Sequence, residues 1–272
     1  MNKEEINAVF KGDIIGREVI FYDVTTSTNE KAMELAQKAP GRLEGTVIIA
    51  DSQERGRGRF GRTWISPPGV NLYFTVLLKP SFSAKEASVV TLMAAIAVAS
   101  AIRECVNLNA VIKWPNDILI GNKKVGGILT EMKSNIDTVD FIAVGIGVNV
   151  NMSLDALPEN LRALATSLKG EKGEMINRVR LLGTILAKME HWYKILLKGG
   201  KKALFDEWLR LNSTIGEKVM VKTHNHTLRG IAEGVGDNGE LIVKLSSGKT
   251  EKILAGEVTI LKRGFYKDAI TY

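Results

Sequence analysis

The chain has 272 residues, of which 45% are hydrophobic, and its 37 Lys and Arg against 30 Asp and Glu leave a net charge of +7. The hydrophobic fraction excludes wholesale disorder, and a single cysteine excludes both a disulfide scaffold and a thiolate-bound zinc or iron–sulfur centre. The positive balance favours an anionic partner: nucleotide, nucleic acid or acidic protein surface.

In chain order, residues 1–12 carry Glu4 and Glu5 without an apolar core, which is not the pattern of a secretory signal. After this short lead, residues 18–23 read as a strand. Ser27 and Glu30 have the spacing of a capping box and open a helix to about residue 39, which Pro40-Gly41 stops. Residues 46–50 are a β-branched run and residues 71–79 alternate, giving two further strands. Residues 87–102 are the most apolar long stretch, bracketed by Lys85, Glu86, Arg103 and Glu104. The stretch is shorter than the roughly 20 residues of a spanning helix. It reads as a buried core helix over about 89–103, and no membrane partner is expected. Lone Cys105 beside it suits a reducing interior, so the expected compartment is the cytoplasm.

Strands follow over residues 110–113, 118–120, 125–131 and 141–150, with Gly121-Asn122-Lys123-Lys124 as a hairpin turn. Ile176, Val179, Leu182, Leu186, Met189, Tyr193 and Leu196 recur three or four apart and predict an amphipathic helix. Gly199-Gly200 breaks it, and a shorter helix runs to about residue 211. From Ile215 to Lys262 come short alternating strands with turns at Asp237-Asn238-Gly239 and Ser246-Ser247-Gly248, the pattern of a small β-barrel. The expected fold is α+β, a helix-covered mixed sheet over 1–213 and a small barrel over 214–272.

Three segments carry chemistry. Arg55-Gly56-Arg57-Gly58-Arg59-Phe60-Gly61-Arg62 combines four forked cations with glycines that let backbone amides approach an anion. It lacks the lysine and Ser/Thr of a P-loop, and by itself reads equally as a phosphate cradle or a nucleic-acid loop. So much glycine and like charge predicts a loop that is mobile when empty. In Lys113-Trp114-Pro115-Asn116-Asp117 a lysine closes a predicted strand among apolar neighbours, where it either seeks an anionic partner or snorkels to water. Val144-Gly145-Ile146-Gly147-Val148-Asn149 alternates glycine within an apolar strand, and Gly126-Gly127 does so in the strand before it. Such glycines make a smooth floor for a flat ligand or admit a closely packed helix.

Taken in order, these motifs resemble the biotin–protein ligases. Ser27-Thr28-Asn29, Gln53 with the glycine–arginine run, Lys113 to Asp117, Gly126-Gly127-Ile128-Leu129-Thr130-Glu131, Gly145 to Val150 and Ala165-Thr166-Ser167-Leu168 carry the resemblance, from about Val19 to Lys262. It implies a catalytic sheet of the class II aminoacyl-tRNA-synthetase type with a Src-homology-3-like barrel behind it. It also implies two chemical steps: biotin and Mg-ATP give biotinyl-5′-AMP and diphosphate, and a lysine of a biotin carboxyl carrier domain then takes the biotinyl group. Magnesium accompanies ATP, with no metal site of the protein's own. By the same resemblance Ser27, Thr28, Asn29, Gln53, Gly126, Gly127, Gly145 and Gly147 line biotin. The loop residues Gly56, Arg57, Gly58 and Arg59 fold over it. Arg57 and Lys113 are the catalytic cations, and Arg59, Arg62, Trp64, Asn116 and Asn149 lie on the nucleotide side, with Trp64 stacking on adenine. Asp117 is a candidate base for the acceptor lysine. His191, His224 and His226 are expected to be structural or exposed.

Family members that repress transcription carry an N-terminal helix-turn-helix domain, for which the short lead here is too small, so DNA is not an expected partner. A homodimer is possible. The alternatives are a lipoate–protein ligase, whose arginine–glycine signature differs, and a basic nucleic-acid-binding protein whose affinity falls steeply with salt.

Overall fold

Alternation along the central strands decides the architecture. In a computed structural model, which describes residues 1–38, 43–134, 139–224 and 226–261, seven strands form a mixed sheet in the order β1-β2-β3-β7-β6-β5-β4. They are β1 (Val19–Thr25), β2 (Val47–Gln53), β3 (Leu72–Leu78), β4 (Ala110–Lys113), β5 (Asp117–Ile120), β6 (Lys123–Ser134) and β7 (Val139–Val148). β1 and β2 run parallel and every other neighbouring pair is antiparallel. Because side chains alternate between faces, Ile142, Val144, Ile146 and Val148 of β7 enter one core while Phe141 and Ala143 enter another.

The first core lies under α3 (Ala87–Val106), α6 (Arg178–Leu197) and α7 (Lys201–Leu211). By length and composition α3 is apolar enough to cross a membrane, yet its alanines and branched residues are buried against the sheet and α6. The stripe predicted for α6 is buried from Leu182 to Leu196, but Ile176 precedes the helix, which Asn177 caps through Arg180 N at 3.0 Å. The opposite sheet face carries α2 (Thr28–Lys38), whose Ala32 and Ala36 pack on Ile48, Leu77 and Ala143. Among the described residues neither half of the expected Ser27–Glu30 capping box forms. The first amide of α2, Thr28 N, instead donates to Gln53 Oε1 at 2.9 Å. The Pro40-Gly41 stop lies outside the described residues.

A helix unforeseen in the sequence, α1 (Lys3–Val9), is closed by an Asn2–Glu5 capping box and buries Ile6. The segment after it is tied to α6 by the buried Glu190, which accepts Ile15 N at 2.7 Å. Two short helices, α4 (Glu159–Arg162) and α5 (Leu168–Lys172), follow β7.

The C-terminal strands β8 (Lys218–Lys222), β9 (Thr227–Val235), β10 (Leu241–Leu245), β11 (Thr250–Ile253) and β12 (Glu257–Ile260) form an antiparallel sheet in the order β11-β10-β9-β8-β12. Both predicted turns are present, with Gly239 and Gly248 at φ 82° and 84°, where a side chain would strain the backbone. Residues 262–272 lie outside the described part. This sheet joins the first core through Val219, Val221, Leu241 and Val243. It is pinned there by Trp114: its Nε1 donates to Gly239 O at 3.0 Å, and its backbone N donates to Thr214 Oγ1 at 2.9 Å.

Candidate functional site

A cavity of about 590 Å³ opens on the α2 face of the large sheet, beyond the N-terminus of α2. Its floor is glycine. In the register of β6, β7 and β3, Gly127 stands opposite Gly147, and Gly145 stands between Leu129 and Thr75. A Cβ on Gly145 would lie 2.0 Å from Asn29 Oδ1, and one on Gly147 would lie 2.5 Å from Trp64 Cε2. The absent side chains therefore admit both α2 and the indole, uniting the two roles that the sequence left open. Gly126 faces the other way: its missing Cβ points toward Gly147 O and Ile118, outside the cavity lining. Gly56 also falls outside the lining. It sits at the base of the arginine loop, where a Cβ would meet Trp64 O at 2.3 Å.

One wall is a polar network at the start of α2. Asn29 donates to Leu129 O at 3.0 Å and to Glu131 Oε2 at 2.8 Å, and accepts from Thr75 Oγ1 at 2.6 Å. Those partners fix which end of the amide is oxygen. Gln53, besides holding Thr28 N, donates to Ser66 Oγ at 2.9 Å. Ser27 and Thr28 line the cavity beside them and are almost fully buried.

The facing walls are cationic. The loop carrying Arg57, Gly58, Arg59 and Arg62 is a hairpin closed by Gly58 N donating to Arg62 O at 2.7 Å. Three of its arginines reach three separate posts: Arg57 to Glu131 at 2.9 Å, Arg59 to Asn116 Oδ1 at 2.8 Å, and Arg62 to Glu257 at 2.7 Å. Trp64, just past the loop, lies on the glycine floor, with Lys124 Nζ 5.5 Å from the centre of its ring. Its Nε1 is buried without a hydrogen-bond partner, leaving a donor free at the cavity. At the end of β4, Lys113 stands 3.4 Å from Asp117, which Lys124 approaches to 2.5 Å. Burial pushes the Asp117 carboxyl up, but Lys124 and Lys113 outweigh it and hold the group below the usual aspartate range. A carboxylate so held is a weak proton acceptor, which argues against Asp117 as the base for an incoming amine. Asn116 and Asn149, both buried, complete this side and donate to Ile128 O and Thr166 O.

The lining thus gathers Ser27, Thr28, Asn29, Gln53, Arg57, Gly58, Arg59, Arg62, Trp64, Lys113, Asn116, Gly127, Gly145, Gly147 and Asn149, and leaves out Gly56 and Gly126. Sequence reasoning gave no role to Thr75, Lys124 or Glu131. Glu131 closes the Gly126–Glu131 motif and was visible there; Lys124 was absorbed into a predicted turn. It also missed the wall supplied by β12, where Gly256 to Ile260 reach the cavity from the second sheet, and the apolar Leu157, Leu161 and Leu164. None of the three histidines lines the cavity.

Residues 21–149 match the Biotin/lipoate A/B protein ligase family, and residues 214–261 match the Biotin protein ligase C terminal domain. The Bifunctional ligase/repressor BirA of Bacillus subtilis is 36% identical over 96% of this chain and 79% of its own length. The Biotin--[acetyl-CoA-carboxylase] ligase of Paracoccus denitrificans is 34% identical over 86% of this chain and 97% of its own. Among solved structures, the biotin protein ligase from Aquifex aeolicus in complex with biotin and ATP superposes with a TM-score of 0.76. It is 28% identical and covers 91% of this chain and 100% of its own.

Proposed function

Because this chain belongs to the biotin protein ligase family, we propose that its cavity joins biotin to ATP and passes the biotinyl group to a carrier lysine of a biotin-dependent carboxylase. The chain is a ligase. It activates biotin with ATP to biotinyl-5′-AMP and transfers biotin to the carrier protein. The biotin carboxylate attacks the α-phosphorus and diphosphate leaves; the acceptor amine then attacks the acyl carbon and AMP leaves.

Two anions must be brought together in the first step, and their repulsion is the barrier to overcome. The observation that carries the reading is the convergence of Arg57, Arg59, Lys113 and Lys124 on one glycine-floored cavity. Lys113 and Arg57 bridge the carboxylate and the α-phosphate and stabilise charge as it develops between them. Ser27, Thr28, Asn29 and Gln53 offer donors and acceptors suited to a ureido ring, above Gly127, Gly145 and Gly147. Arg59, Arg62, Asn116 and Asn149 take the nucleotide side, where the Trp64 ring offers a stacking face. The arginine loop excludes water that would hydrolyse the mixed anhydride. Magnesium accompanying the ATP would supply charge neutralisation for the diphosphate leaving group. Among the described residues no group of three metal-ligating side chains is present, and Asp117, Glu131 and Glu257 already hold cations.

Residues 1–213 form the catalytic part and 214–272 the small C-terminal part. The lone thiol of Cys105 supports a reducing, cytoplasmic compartment, and the family resemblance supports a homodimer. The test is incubation with biotin, Mg-ATP and a purified carrier domain, followed by streptavidin blotting, with lipoate in a parallel reaction. Label is expected only with biotin, ATP and carrier together. Lipoylation without biotinylation, or salt-sensitive RNA binding with no biotin-dependent ATP consumption, would overturn the assignment.

A further inference from the structure

We propose that Glu257, at the start of β12, is a positioning residue for the reaction: through Arg62 it latches the arginine loop over the ligand cavity. The proposal rests on the ligase reading for its consequences but not for its geometry. Residues 57–63 form a small hairpin, closed by the Arg57–Thr63 bridge and by Gly58 N donating to Arg62 O. Two of its tethers come from the large sheet that floors the cavity, Glu131 on β6 and Asn116 in the turn between β4 and β5. The third, Glu257, comes from the other sheet.

Such a tether positions a loop only if its own support is rigid, and here it is. Trp114 binds Gly239 O and Thr214 Oγ1, Ser88 binds Asn238 O, and the two sheets share one apolar core. These contacts fix the second sheet directly behind the Lys113–Asp117 turn. Glu257 is thus a carboxylate on a fixed strand at the cavity mouth, flanked by Gly256, Val258 and Thr259, which line the cavity themselves.

The loop needs such a latch because its conformation is strained. Phe60 sits in the left-handed region at φ 57° without being glycine, and the residue is 55% exposed. It is steadied by the Arg59 guanidinium 4.8 Å from its ring and by Arg62 at 6.0 Å. Arg62 therefore both flanks the strained residue and holds the latch. The Arg62 and Glu257 side chains are 57% and 46% exposed. An ion pair so open to water adds little to global stability, but it shifts a loop equilibrium by about two- to five-fold.

Hydrogen exchange of residues 56–63 is compared in the full, ligand-free chain for wild type, Glu257→Gln and the exchanged pair Arg62→Glu/Glu257→Arg. Glu257→Gln is expected to speed loop exchange about two- to five-fold while exchange in β8–β11 and the melting midpoint stay unchanged, and the exchanged pair is expected to restore protection. Biotin dissociation from Glu257→Gln should quicken over the same range. Unchanged loop exchange, equal acceleration throughout the second sheet, or failure of the exchanged pair to restore protection would overturn the latch. Loop exchange that responds as expected in a protein that neither binds nor activates biotin would leave the latch standing and refute the ligase reading instead.

Discussion

A methyl group on Gly145 tests the cavity floor. It would stand 2.0 Å from Asn29 Oδ1, 2.7 Å from its Cγ and 3.0 Å from its Nδ2, well inside contact distance. Asn29 cannot swing aside freely, because Thr75, Leu129 O and Glu131 hold it at 2.6, 3.0 and 2.8 Å. Relief of the clash breaks these bonds, and each contributes about 0.5–1.5 kcal/mol net, somewhat more where the partner is charged. Gly145→Ala is therefore expected to lose about 2–4 kcal/mol. At about 2–4 °C per kcal/mol for a domain of this size, the melting midpoint falls by roughly 4–16 °C. Gly147→Ala is the control. Its methyl would meet the Trp64 indole, which sits just past a tethered loop and can tilt away, so the midpoint should move by less than about 3 °C. Scanning calorimetry measures both, and a biotin titration by isothermal calorimetry shows whether the surviving fold keeps its pocket. If Gly145→Ala melted within about 2 °C of wild type, or if Gly147→Ala were the more damaging change, close approach of Asn29 would not be what Gly145 provides.

Two further outcomes follow from the cations. Lys113→Ala leaves Asp117 still paired with Lys124 at 2.5 Å, so the fold should hold. Adenylate formation should drop by about 10²–10³-fold, the usual effect of removing one preorganised charge from a reacting centre; biotin-dependent exchange of labelled diphosphate into ATP measures it. For Asp117, the folded carboxyl titrates below its ordinary value of 3.8. Its stabilisation is therefore complete above that value and lost as pH falls through the lower folded one. Asp117→Asn should cost about 1–3 kcal/mol near neutral pH by leaving two half-buried ammonium groups without their carboxylate. The gap in melting midpoint from wild type should then close progressively below pH 3.8. A gap of constant size down to the acid-unfolding limit would show that the carboxylate is not held by Lys113 and Lys124.

Much of this protein was legible locally. Periods of two and of three to four residues placed the strands and the long helices, because an element must turn an apolar face to a core whatever that core contains. The glycine–arginine run and the lysine ending β4 declared a meeting of anions and cations, since their chemistry lies in adjacent residues. Helix α1 was not legible: seven residues form no stable helix alone, and burial of Ile6 is what holds it. Gly126 and Gly127 were indistinguishable in sequence, yet pairing register turns one toward the cavity and its neighbour toward Ile118. Thr75, Lys124 and Glu257 became parts of the site only when β3, the β5–β6 hairpin and a second sheet closed around it. Composition and periodicity are properties of neighbours along the chain, so the sequence by itself determined the elements and the class of chemistry. Which side chains meet across 40 to 200 residues depends on register and packing, and those are decided only when the core closes.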